Sequence, residues 1–115
     1  MPSKDIEKRR AAIKRHYYAN RQYYIDKASK KRDDLRKWVH DLKDTTPCTD
    51  CGIQYRYYVT DFDHISEKGT KTKAVSQVIN SGSIAKVRAE IAKCELVCAN
   101  CHRTRTYRRI MENRV

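Results

Sequence analysis

The sequence holds little that would place it in a membrane or carry it out of a cell. No apolar run comes near the ~20 residues that a bilayer-spanning helix requires. The opening stretch, MPSKDIEKRR, has charges but no apolar segment behind them, so it does not read as a secretory signal. Membrane and secreted classes are therefore not expected; the expected location is the cytoplasm of a bacterial or phage-infected cell. Acids are also scarce. Fourteen Asp and Glu face 26 Lys and Arg in 115 residues, a net charge of +12. So strong a positive balance points to a polyanionic partner, with nucleic acid first. Low-complexity segments are absent, and residues 4–44 lack glycine and proline altogether.

What is present fits one compact domain plus an appendage. Hydrophobic residues make up 39% and charged residues 35%, a lean core under a charged surface. The composition changes at Thr45-Thr46-Pro47, which divides a basic helical arm over 1–46 from a domain over 47–115. Residues 4–44 carry 14 basic and 7 acidic side chains. Their apolar positions, Ile6, Ile13, Tyr17, Tyr24, Ala28, Leu35, Val39 and Leu42, recur with an eleven-residue period that stays nearly in line on a straight helix. A helix of ~40 residues would run ~60 Å, so it either breaks, with Asn20 as the place, or extends as an arm. Tyr17, Tyr18, Tyr23 and Tyr24 interleave with Arg15, Arg21 and Lys27. They serve either as core packing or as a phosphate-tracking arm or dimer seam, and homodimerisation or docking through this helix is the corresponding expectation.

Beyond Pro47, the stretch Tyr55–Phe62 is aromatic and β-branched and reads as strand. Residues 66–73 form a polar, basic loop. Val75, Val78 and Ile79 suggest a short helix ended by Asn80-Ser-Gly82. Ser83 can cap a second helix with the stripe Ile84, Val87 and Ile91. Leu96 and Val97 read as a short strand or turn leading into Cys98-Ala-Asn-Cys101-His102 and a final arginine-rich helix.

Five cysteines, an odd number without an oxidising context, argue against a disulfide framework. Cys48-Thr-Asp-Cys51 and Cys98-Ala-Asn-Cys101 are two C-x-x-C pairs, the spacing at which two backbone turns present four thiolates to one zinc ion. A redox pair or small buried apolar residues are the alternatives. Cys94 is left over as a core residue. The order of words is informative: C-x-x-C, strand, Asp61-Phe-Asp63-His64, loop, then C-x-x-C-His102 opening a basic helix. Zinc at the pairs would bring Asp63 and His102 together as ligands of a second, open divalent-metal site, with His64 as a base near neutral pH. Asp61 shares a strand face with Asp63 by period two and is held as an accessory acid.

These words resemble the HNH endonucleases from Cys48 to about Arg109, and most of all the zinc-stapled members such as the recombination endonuclease VII family. The resemblance implies a small α+β fold, a ββα-metal finger with a four-cysteine zinc staple, behind the long basic helix or helix pair. It implies a metal-dependent DNA endonuclease with structural Zn2+ at Cys48, Cys51, Cys98 and Cys101. Catalytic Mg2+ or Mn2+ would be held by Asp63 and His102, with His64 as general base. Asn100 is assigned as the middle residue of the family name, with Asn80 second. Arg103, Arg105, Arg108, Arg109, Lys71 and Lys73 are the expected DNA contacts. The alternative is a non-catalytic DNA-binding protein or adaptor on the same fold.

Overall fold

The structure is a computed structural model that describes residues 2–114, a small α+β arrangement of five helices and a two-stranded antiparallel sheet. Helix α1 covers Pro2–Ala19 and α2 covers Arg21–Thr45, parted at Asn20. The Asn20 and Tyr24 amides still bond the carbonyls four residues back, at 3.1 and 3.2 Å, so the backbone pattern runs on through the break. Two compact units divide within α2, Met1–Lys31 and Arg32–Val115. This differs from the change of composition at Thr45–Pro47, because Leu35 and Val39 belong to the core of the second unit. In the first unit the expected stripe does not pack inward: its Ile6, Ile13 and Tyr17 are exposed, as are Tyr18 and Tyr23 off the stripe. The tyrosines meet one another instead, with Tyr17 stacked on Tyr24 at 5.8 Å.

In the second unit, strand β1 (Thr60–His64) pairs with β2 (Cys94–Cys98), Asp63 opposite Glu95 and His64 opposite Cys94. The expected strand over 55–62 is shorter and later than its composition suggests. Residues Tyr57–Val59 form a 3-10 turn, held because the Asp44 carboxylate accepts the Tyr57 N–H at 2.7 Å and His40 stacks on the Tyr57 ring. Lys43 anchors the end of α2 by donating to the Thr60 carbonyl at 2.8 Å. Between the strands lie α3 (Val75–Val78), continued by a 3-10 turn (Ile79–Ser81) that Gly82 closes in the left-handed region at φ +70°, and α4 (Ile84–Ile91). The Ser83 side chain caps α4 by accepting the Lys86 N–H, as its position before the stripe implies. Leu35, Val39, Val75, Val78, Ile79, Val87 and Cys94 form the main core, with Trp38, Phe62 and Ile91 against it. Helix α5 (Ala99–Glu112) begins three residues before His102, and Cys98 is its cap. Among the described residues, no helix is long and apolar enough to cross a membrane.

Candidate active site and metal cluster

The four paired cysteines come together. Their sulfurs lie within 4.8 Å of one another, the sole such set of three or more metal-ligating side chains among the described residues. Four Zn–S bonds of ~2.3 Å in a tetrahedron put sulfurs ~3.8 Å apart, so this cluster has the size to hold a metal ion. The first pair turns tightly, the Gly52 N–H returning to the Cys48 carbonyl at 2.9 Å, and Gly52 takes φ +72°, which a side chain would strain. Backbone amides then feed the sulfurs: Cys98 N–H donates to Cys48 Sγ at 3.3 Å and Cys101 N–H to Cys98 Sγ at 3.4 Å. Burial alone would push the Cys48 thiol up, but the N–H groups of Cys51, Cys98 and Asp50 outweigh it and bring it to about 6. Cys101, hydrogen-bonded to Cys98 and partly buried, is pushed up to about 12. Cys94 stands apart in the core, its thiol raised to about 11 by burial and the nearby carboxylates of Glu90 and Asp63.

The pleat of β1 sorts the remaining candidates onto two faces. Asp61 and Asp63 turn towards α5. There Asp61 Oδ2 pairs with His102 Nδ1 at 3.1 Å, while His102 Nε2 stands 3.8 Å from Asp63 Oδ1. Asp63, only 5% exposed, is also the hub of an arginine network. Arg109 donates to both of its oxygens at 2.9 and 2.7 Å, and Arg105 adds a third bond to Oδ2 at 2.9 Å. Those hydrogen bonds, Arg109 first, outweigh burial and hold the Asp63 carboxyl below the usual carboxylate range. His64, one residue on, turns the other way. Its Nε2 meets Glu90 Oε1 at 2.9 Å, so it joins α4 rather than the acids above α5.

The expected arginine contacts divide as well. Arg105 is not free to reach DNA: besides Asp63 it binds Asp50 through two bonds of 2.6 and 2.7 Å and Glu95 at 3.1 Å. It therefore ties the first cysteine knuckle to both strands. Arg105→Met should cost ~3–5 kcal/mol, the range for removing one partner of a buried ion pair, measured by urea unfolding at constant metal content. Arg103 and Arg108 are exposed and form no ion pair among the described residues. Lys71 and Lys73 are exposed in the loop before α3, and Lys71 lines a cleft with His64. Asn100 is exposed in the first turn of α5 and makes no side-chain hydrogen bond to the Asp63 group. Asn80 is exposed in the turn after α3. Glu90 was not singled out from the sequence, although an acid three residues after Val87 on an apolar stripe is the available signal.

Compared with protein-family models, with curated proteins and with solved structures, the chain matches none.

Proposed function

We propose that this protein is a metal-dependent DNA endonuclease of the HNH kind, stapled by zinc at the four-cysteine cluster. The observation that carries the reading is the approach of His102 Nε2 to Asp63 Oδ1, 3.8 Å, with the other ring nitrogen held by Asp61. Neighbouring ligands of an octahedral ion bound at ~2.1 Å stand ~3.0 Å apart, so Asp63 and His102 would hold a divalent ion once these two atoms drew somewhat closer than 3.8 Å. Asp61 acts as the carboxylate behind a ligating histidine, fixing which nitrogen is free. Asp63 Oδ1 accepts one bond, from Arg109, and keeps a second lone pair. For the cysteine set, four thiolates in a tetrahedron select zinc, and with no open position that ion is structural. The carboxylate–imidazole pair suits Mg2+ or Mn2+, which when bound polarises the phosphate and neutralises the leaving oxygen.

The chain's own residues do the rest. His64 ends β1 and faces α4 while Asp63 faces α5. The phosphate would therefore have to lie across the end of the strand for His64 to take the proton from the attacking water. The water oxygen forms the new bond to phosphorus, the P–O bond to the leaving sugar oxygen breaks, and that oxygen leaves with a proton from solvent. Arg103 and Arg108 meet the flanking backbone. The words Asp61-Phe-Asp-His64-Ile and Cys98-Ala-Asn-Cys-His102-Arg, in that order, support the resemblance to the zinc-stapled HNH enzymes. A second reading, a non-cutting DNA-binding protein, is favoured by one observation: three guanidinium bonds already account for a buried Asp63 without any metal.

Supercoiled plasmid incubated with magnesium, manganese or EDTA separates the two. Metal-dependent nicking or linearisation is expected; binding without cleavage moves the second reading ahead. Binding should weaken steeply with salt, and Arg103→Ala and Arg108→Ala should each flatten the log–log slope by ~0.9. Unchanged slopes in a filter-binding titration would place the DNA on another face.

A further inference from the structure

Glu90 is a charged group in the wrong place for helix solubility. It lies on the inner side of α4, 4% exposed, beside Val87 and Ile91. A buried carboxylate is costly unless every lone pair is used, and here the oxygens are supplied from three sides. Oε1 accepts the Thr72 N–H at 3.0 Å and meets His64 Nε2 at 2.9 Å; Oε2 accepts Lys93 Nζ at 3.0 Å. Lys93 is itself braced by donating to Thr72 Oγ1 at 3.1 Å. Burial opposes ionisation, but the Thr72, Lys93 and His64 bonds outweigh it and hold the carboxyl at about 2. An ionised carboxylate has no proton to give. The hydrogen in the Glu90–His64 bond therefore belongs to Nε2, and in the neutral ring Nδ1 carries the lone pair.

The surroundings leave that lone pair available. No described group bonds Nδ1, and no buried side-chain nitrogen or oxygen lacks a partner, so Nδ1 reaches solvent. His64 lines a cleft of about 320 Å³ with Ser66, Gly69, Thr70 and Lys71, and Lys71 sets a cation beside it. A base whose far nitrogen is held by a fixed acceptor is oriented and locked in one tautomer before substrate arrives.

We infer that Glu90 is the positioning residue for His64, holding its ring by Nε2–H so that Nδ1 faces the cleft as the proton acceptor. This rests on His64 being the general base. Glu90 takes no proton in the step: water gives one to Nδ1, and the imidazolium keeps its Nε2–H against the carboxylate.

The test uses the full-length, zinc-loaded protein. Two-bond 1H–15N spectra of the neutral ring, assigned among the four histidines with His64→Ala, should show His64 protonated at Nε2. Protonation at Nδ1 overturns the inference whether or not the protein cuts DNA. In cleavage assays Glu90→Gln, which keeps the side chain's shape, should lower kcat at least ~10-fold, part of the ~10²–10⁴ that a positioned base contributes. KM for DNA should change by less than ~3-fold, because Glu90 is buried away from substrate. In the His64→Ala background Glu90→Gln should cost nothing further. If His64→Ala is inactive but Glu90→Gln cuts like the wild type, or its loss adds to that of His64→Ala, the role of Glu90 falls and the endonuclease reading stands. If the wild type does not cut, the endonuclease reading falls, and with it the catalytic role of the Glu90–His64 pair.

Discussion

Cys51→Ala should unfold the C-terminal unit, although the residue is exposed and fills no core space. The cluster joins the knuckle at Cys48–Gly52 to the junction of β2 and α5, and the apolar core there is small: Cys48, Val97 and Cys98, with Tyr55, Val59 and Cys101 packed against them. Such a small apolar cluster gives little to hold that end closed once the sulfurs lose a common ion. Zinc-coupled folding is worth ~10–16 kcal/mol in small zinc domains, while a whole domain has a net stability of only ~5–15 kcal/mol. Removing one ligand therefore reaches the scale of the entire fold. Chelation of the wild type should have the same effect and be reversed by added zinc. Far-UV circular dichroism with elemental analysis reads both; a folded, cooperative protein containing no zinc would sink the zinc assignment. The bonds of Arg105 to Asp50, Asp63 and Glu95 hold the same junction from the side. Arg105→Met should therefore weaken the fold without emptying the cluster.

The features legible in the sequence are those fixed by short-range spacing. The C-x-x-C pairs, the Ser83 cap, the Val75–Val78 helix and the short strand ending at Cys98 each depend on residues within a turn of one another. What escaped depends on distant partners. The tyrosines at 55–58 have strand composition, yet Asp44 and His40 of α2 bend residues 57–59 into a 3-10 turn, and no local pattern carries that contact. Arg105 has the appearance of a phosphate contact until acids 10, 42 and 55 residues away close around it. The period-two rule placed Asp61 beside Asp63. The same rule sends His64 to the opposite face, where Glu90 waits on a stripe of otherwise apolar positions. The eleven-residue stripe within residues 4–44 lies on helices, as its period implies. Burial begins only at Leu35, however, so periodicity gave the conformation and not the packing.

His64→Ala should lose at least ~10²-fold in cleavage rate, the lower end for general base catalysis, while binding DNA as before. The side chain sits at the end of β1 with one nitrogen on Glu90 and the other open to solvent. Removing it deletes the proton acceptor and leaves the arginine-bearing face of α5 in place. His102 gives the complementary test of the metal pair. It is about one-third exposed, so truncation costs little packing, and any loss reads on ligation. His102→Ala offers an ion nothing. His102→Asn offers an amide oxygen, a neutral donor that divalent ions accept, and it should keep more activity, with a raised metal requirement. Asp63 is the less clean position. Asp63→Ala also strands Arg105 and Arg109 without their shared carboxylate, so lost stability would mix with lost chemistry. The decisive comparison is therefore single-turnover cleavage by wild type, His64→Ala, His102→Asn and His102→Ala across a magnesium titration. Equal rates for wild type and His64→Ala would remove His64 as the base. Equal metal requirements for His102→Asn and His102→Ala would remove His102 as a ligand. If both held, Asp63 would be a structural partner of two arginines, and the basic surface would bind DNA without cutting it.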